Sequence, residues 1–214
     1  MKLIPFVTKE LEKVFSKSTM LVKLYSAFYK NIVKKEVKLA KINNNDSILF
    51  IGGGSIPCTA LQIASMTGAN VKIIDVDPVA VERANKIISK LNLSHSVKVQ
   101  LTSGQNINAH DFSVIHIARQ AMPHDEIIEN ITKKLSRDAR ILLRSNLSCF
   151  EKLNKIHVNN CKCIYIRQIK QGLLGLKSTF MLTIKKNRSS ESEIKKGNSY
   201  TDGFKPNVAS NMVS

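Results

Sequence analysis

An α/β fold is predicted: an open parallel sheet with helices on both faces, closed by an antiparallel hairpin and preceded by a short helical segment. Three observations predict it. Short apolar runs alternate with segments of helical periodicity from residue 46 to residue 145, the pattern of strand–helix–strand units whose strands are covered on both sides. A glycine cluster, Gly52-Gly53-Gly54, follows the first apolar run without a gap. Two alternating β-branched stretches joined by Gly172–Lys177 come last, and read as a hairpin.

Each element has its own signal. Residues 1–45 read as helical, with Leu11, Val14, Phe15 and then Leu21, Leu24, Tyr25, Phe28, Ile32, Val33 at helical spacing. Ser18-Thr19 is a candidate break between two helices, because such residues favour caps. Strands are expected at Ser47–Ile51, Val71–Val76, Val97–Leu101, Phe112–Ala118 and Ala139–Arg144. Helices are expected at Cys58–Thr67, Val79–Leu91 and Asp125–Leu135, the first closed by Gly68. The hairpin strands are Cys163–Ile169 and Thr179–Ile184. The chain thus divides into an N-terminal helical segment (1–45), an α/β domain (46–186) and a basic tail (187–214) rich in Ser, Lys and Asn, expected to be disordered.

The 214 residues, 43% of them hydrophobic, suffice for one domain with a real core. Lys and Arg number 33 against 16 Asp and Glu, a formal charge of +17. Such a charge suits an anionic partner or solubility alone. Spacing such as Lys9, Lys13, Lys17 reads as a solvated helix face. No apolar run is long enough for a transmembrane helix, and Met1–Val7 is too short and too soon charged for a secretory signal. Cys58, Cys149, Cys161 and Cys163 lack metal-ligand spacing. No metal site is expected, and a reducing cytoplasmic setting fits free thiols.

Ligands of open α/β sheets bind beyond the carboxyl ends of the strands, where the strand order reverses. Gly52, Gly53 and Gly54 stand there on the first strand, ahead of a helix N-terminus with free N–H groups. Asp75 ends the second strand 23 residues after Gly52, close to the spacing of an acid that bonds both ribose hydroxyls. Asp77 has two readings, ribose contact or cap of the helix opened by Pro78, and the cap is favoured. A dinucleotide loop would need a third glycine where Pro57 stands. A nucleoside ligand without a pyrophosphate has no such need.

Parallel strands closed by an antiparallel pair resemble the Rossmann-like class I S-adenosylmethionine-dependent methyltransferase fold. In that fold the loop after the third strand meets the adenine, which would make Gln105 and Asn106 cofactor contacts. Ala118, after the fourth strand, would lie near the methionine end. The motifs narrow the resemblance. Ile48-Leu49-Phe50-Ile51-Gly52-Gly53-Gly54-Ser55-Ile56-Pro57-Cys58-Thr59, Asp75-Val76-Asp77-Pro78 and Ile141-Leu142-Leu143-Arg144-Ser145 together resemble the nicotianamine synthase family. That family transfers the 3-amino-3-carboxypropyl group of S-adenosylmethionine to an amine. It also carries a tyrosine and a glutamate on helices before the sheet. Tyr29 and Glu36, seven apart on one helix face, are the corresponding catalytic candidates. A carboxylate there could orient or deprotonate the amine. The plainer alternatives are a core aromatic and a surface charge beside Lys35.

The first functional expectation is an S-adenosylmethionine-dependent methyltransferase acting on a small molecule. The second is aminocarboxypropyl transfer to an amine, giving a metal chelator. An RNA methyltransferase or RNA-binding protein is a third, disfavoured by the few aromatics available for base stacking. A non-catalytic adenosylmethionine sensor is a fourth.

Overall fold

The computed structural model describes residues 19–136, 138–145, 161–173 and 176–186. The periodic stretch at Leu11–Phe15, the candidate cap at Ser18 and the basic tail lie outside them. Helix α1 runs Thr19–Ala40, followed by β1 (Ser47–Ile51), α2 (Cys58–Thr67), β2 (Asn70–Asp75) and α3 (Pro78–Lys90). Then come β3 (Val97–Leu101), β4 (Val114–Ile117), α4 (His124–Lys134), β5 (Arg140–Ser145), β6 (Cys161–Leu173) and β7 (Leu176–Lys186).

The seven strands form one sheet in the order β3-β2-β1-β4-β5-β7-β6. Strands β1 to β5 pair in parallel, and β7 joins β5 and β6 antiparallel. Strand order reverses between β1 and β4, which makes their carboxyl ends the natural ligand crevice. The central strands are apolar on both faces because both faces are covered. Ile48, Phe50, Val71 and Ile73 pack with Val33 of α1, Ile63 of α2 and Ile87 of α3. On the other face, Leu49, Ile51, Ile74, Ile115 and Ile117 pack with Ile127, Ile128 and Ile131 of α4.

The helix boundaries follow local chemistry. Gly68 ends α2 at a φ of 73°, its N–H bonded to the Ala64 carbonyl. Asp77 caps α3 by accepting from the Val79 amide at 2.9 Å, with Pro78 in the first turn. Helix α4 opens on Asp125 and Glu126 and closes on Lys133 and Lys134, each charge set opposing the helix dipole.

Two expectations need correction. The fourth strand is shorter than Phe112–Ala118, because Phe112 and Ser113 approach it in a turn and Ala118 already leaves it. The hairpin strands are longer than predicted, reaching Cys161–Leu173 and Leu176–Lys186. Their outer ends carry Lys, Gln and Gly, held by ladder hydrogen bonds that need no apolar pattern, with register shifts at Cys163/Tyr165 and Lys170/Leu173.

A polar anchor lies at the amino edge of the sheet, opposite the crevice. Asp46 accepts from the Ser113 hydroxyl at 2.6 Å and from the Asn43 amide at 2.9 Å, and pairs with the Arg140 guanidinium. Arg140 also donates to the Ala40 and Lys41 carbonyls at the end of α1. The starts of β1, β4 and β5 are thereby tied to one helix end. Burial pushes the Asp46 carboxyl up, but the hydrogen bonds and Arg140 outweigh it and hold it below its ordinary value.

Gly53 is required by packing. A Cβ there would stand 2.3 Å from Cγ2 of Ile73, a buried β-branched side chain with little room to move. Gly53→Ala should lower unfolding stability by about 1–3 kcal/mol, measured by urea denaturation; an unchanged midpoint would contradict this packing.

Candidate functional site

The crevice is assembled from three strand ends. Ile51 leads into Gly52, whose amide donates to the Ile74 carbonyl at 2.9 Å. Gly52 adopts a φ of 82°, and a Cβ there would meet Ala121 at 2.9 Å and Ala118 at 3.4 Å. Glycine is thus required both by conformation and by the approach of the β4 loop. That loop is tied to the glycines directly, since Gln120 Nε2 donates to the Gly52 carbonyl at 2.9 Å. Ala118 itself donates to the Ile51 carbonyl at 3.0 Å.

Asp75 organises the same loop. One carboxylate oxygen accepts from the Gly54 amide at 2.7 Å and the other from the Asp77 amide at 3.0 Å. The carboxylate therefore stands at the open end of β2 in a fixed orientation, and each oxygen keeps a second acceptor direction. Val76 and Leu101, at the ends of β2 and β3, are large apolar side chains left 69% and 52% exposed. Such surface at a strand edge suits a flat aromatic ligand.

The other sequence candidates fall into three groups. Gly52, Gly53, Gly54, Asp75 and Ala118 come together at the crevice. Asp77 serves the α3 cap, the favoured of its two readings. Gln105 and Asn106 lie on the loop after β3. Gln105 Nε2 faces Glu126 Oε2 at 3.5 Å, while Asn106 is exposed. Asn130 of α4 secures that loop by donating to the Gly104 and Ile107 carbonyls at 3.0 and 2.9 Å.

Tyr29 and Glu36 are on α1, against the sheet. The surface-charge reading of Glu36 is wrong: the residue has no exposed surface. Its Oε1 accepts from Arg144 Nε at 2.8 Å and from the Thr179 hydroxyl at 2.7 Å. Its Oε2 accepts from Arg144 Nη2 at 2.7 Å and meets His116 Nε2 at 3.3 Å. One carboxylate thus joins α1 to β4, β5 and β7. The Tyr29 ring lies 5.9 Å from the Arg144 guanidinium carbon, within cation–π range. His116 stacks on Phe50 with centroids 4.4 Å apart, and its Nδ1 has no hydrogen-bond partner among the described residues.

Burial would raise the Glu36 carboxyl, but the charge of Arg144 and the hydrogen bonds from Arg144 and the His116 ring outweigh it. Glu36 is held far below the ordinary carboxylate range and is ionised. Burial is also the main influence on His116 and pushes it down, against the pull of Glu36. The imidazole is therefore neutral, with its Nε2–H donated to the carboxylate.

Arg144, His116 and Thr179 are partners of Glu36 that sequence reasoning missed. A signal existed. Ile32, Val33, Glu36, Val37 and Ala40 share one helix face, so Glu36 stands in an apolar stripe and must be paired. His116 likewise interrupts an otherwise apolar strand, Val114–Ile117.

An open sheet with its crevice at the β1/β4 reversal, a glycine loop and an acid at the end of β2 defines a Rossmann-like fold of the class I methyltransferase type. Solved structures agree. A variant of MtNAS in complex with S-adenosylmethionine superposes with a TM-score of 0.71 at 19% identity, over 87% of this chain and 76% of that one. A putative S-adenosylmethionine-dependent methyltransferase from Methanococcus maripaludis gives 0.65 at 14%, over 84% and 94%. The family model described as "Nicotianamine synthase protein" matches residues 18–164, and the chain belongs to that family. Among curated proteins, L-histidine 2-aminobutanoyltransferase of Yersinia pestis is 22% identical over 120 residues, 56% of this chain and 45% of that protein. The Pseudomonas aeruginosa enzyme of the same name is 26% identical over 113 residues, 52% and 43%. The chain spans less than half the length of these curated relatives. Among the described residues, no helix is long and apolar enough to cross a membrane.

The buried network makes stability depend on acid. His116 has its value lowered by folding, so its contribution is complete above the ordinary histidine value of 6.5 and falls as pH drops below it. Glu36 and Asp46 are also lowered, so theirs is complete above the ordinary carboxyl values of 4.5 and 3.8 and falls below them. Unfolding free energy should decline from pH 7 to pH 4, first through His116; a flat profile would contradict the assignment. Glu36→Gln should cost about 3–5 kcal/mol, because it strands a buried guanidinium; chemical denaturation at pH 7 checks this, and a loss under 1 kcal/mol would refute it.

Proposed function

We propose that the protein transfers the 3-amino-3-carboxypropyl group of S-adenosylmethionine to the nitrogen of a small amine, giving methylthioadenosine as the second product. The observation that carries this reading is the family match over residues 18–164, which spans the glycine loop, Asp75 and Arg144. The names of the curated relatives, transfer of a 2-aminobutanoyl group to L-histidine, support the choice of transferred group and of an amino-acid-like acceptor. They reverse the order of the first two expectations from sequence, in which methyl transfer came first.

The residues present fit the nucleoside. Asp75 would accept from the ribose hydroxyls, in addition to the two amides that hold it. Gly52 and Gly54, at φ of 82° and 65°, turn the backbone at the strand end and would let it approach the sulfonium portion. Val76 and Leu101 would flank the adenine, and the loop carrying Gln105 and Asn106 would meet its edge.

In the transfer, the acceptor amine lone pair forms an N–C bond to the side-chain carbon attached to sulfur. The C–S bond breaks, its electron pair stays on sulfur, and the sulfonium becomes a neutral thioether. The amine then loses a proton to water or a nearby base. The sulfonium supplies the electrophile, so the protein contributes mainly alignment. Tyr29, part-exposed on α1 beside Arg144, is proposed to line the acceptor side. Glu36 is proposed as a positioning residue, since its oxygens are all engaged and none faces solvent.

Incubation with S-adenosylmethionine and L-histidine, followed by mass spectrometry of the nucleosides, tests the reading. Methylthioadenosine is expected; S-adenosylhomocysteine would establish methyl transfer instead. Asp75→Ala should weaken S-adenosylmethionine binding by about 1–3 kcal/mol, read by calorimetric titration alongside a melting curve that controls for the lost Gly54 contact. Unchanged affinity would remove Asp75 from the site.

A further inference from the structure

The Glu36 network leaves one edge of Arg144 uncommitted. Nε and Nη2 are both given to Glu36, while Nη1 makes no hydrogen bond among the described residues. The Arg144 side chain keeps 7% of its surface exposed, whereas its partner Glu36 keeps none. The Arg144 side chain is therefore closed on the Glu36 side, and the little surface it keeps lies elsewhere.

Its place in the sheet puts it at the crevice. Leu143 pairs with Ile117, so Arg144 stands one position further, level with Ala118. Ala118 lies close to Gly52, where an added Cβ would meet it at 3.4 Å. Arg144 and the glycine loop thus belong to the same carboxyl edge. The bidentate grip of Glu36 fixes the plane of the guanidinium, and the Tyr29 ring stands 5.9 Å from its central carbon. An arginine locked in this way gives its remaining N–H groups in one direction, toward a planar acceptor.

We propose that the Nη1 edge of Arg144 receives the α-carboxylate of an amino-acid moiety bound in the crevice. Arg144 is then a specificity-determining residue, and Glu36 holds it in register. The inference rests on the transferase reading above and extends it. Two moieties in that reaction carry such a carboxylate, the migrating end of S-adenosylmethionine and the acceptor. Glu36 already balances the arginine charge, so recognition rests on hydrogen-bond direction rather than on net attraction. That arrangement selects for a carboxylate at one position and against molecules lacking it.

The test compares ligands that differ only in the carboxylate, on the full chain. Binding of S-adenosylmethionine, decarboxylated S-adenosylmethionine and methylthioadenosine is titrated, and KM is measured for L-histidine and for histamine. The unaltered protein should favour one carboxylate-bearing ligand over its decarboxylated form by about 10- to 100-fold, the worth of hydrogen bonds to a charged group. Arg144→Lys keeps a positive charge beside Glu36 but not the planar fork, and should bring the carboxylate-bearing ligand down to the affinity of its decarboxylated form. Lost discrimination between the two sulfonium ligands assigns the carboxylate to S-adenosylmethionine; lost discrimination between histidine and histamine assigns it to the acceptor. Absence of either preference in the unaltered protein overturns the inference without any variant. An equal loss for all ligands in Arg144→Lys, or an intact preference, also overturns it. If the unaltered chain binds neither S-adenosylmethionine nor methylthioadenosine, the transferase reading itself fails and the inference with it.

Discussion

A carboxylate with no exposed surface has to be met by donors on every side, and Glu36 is met by four: two from Arg144, one from Thr179 and one from His116. Removing two charges from water costs several kcal/mol each, and only dense hydrogen bonding makes the pair tolerable. The arrangement fixes more than one contact. Its donors come from β4, β5 and β7, so the seat of α1 on the sheet and the join between the parallel and antiparallel parts are set at a single point. Apolar packing by Ile32, Val33, Val37 and Ala40 brings α1 to the sheet without defining its rotation. The carboxylate defines it, because a turned helix would leave Glu36 and Arg144 both buried and unpaired.

The crevice is organised by a similar economy at the other strand ends. Asp75 is held by the Gly54 and Asp77 amides, so the acid that would meet a ribose also shapes the glycine loop. Gln120 closes the opposite side through the Gly52 carbonyl. The site is therefore preformed in its backbone, and side chains such as Val76 and Leu101 are left exposed at its rim. A preformed pocket suits a reaction whose electrophile is already activated, where alignment supplies most of the rate.

Much of this was legible in the sequence because it follows from local patterns. Apolar runs placed the strands, Gly68 and the Asp77-Pro78 pair placed helix ends, and Gly52–Gly54 with Asp75 placed the crevice. The network around Glu36 was not read, for two physical reasons. Glu36 sits among the exposed Lys34, Lys35 and Lys38, although helical spacing sets it among Val33, Val37 and Ala40. Its principal partner is 108 residues away, and no local rule pairs residues at that distance. The strand ends of the hairpin were underestimated for a related reason, since backbone ladders stabilise polar segments that apolar periodicity does not mark.

The central claim is that the Glu36–Arg144 pair, rather than apolar burial alone, seats α1 on the sheet. Native-state hydrogen exchange tests it most directly, comparing the unaltered chain with Glu36→Gln. The account predicts that amides of α1 between Ile32 and Ala40 lose protection selectively, while those of β1, β2 and β4 keep theirs apart from the global change in stability. Protection in α1 that falls only in step with the central strands would show that the helix is held by its apolar face, and would contradict the claim.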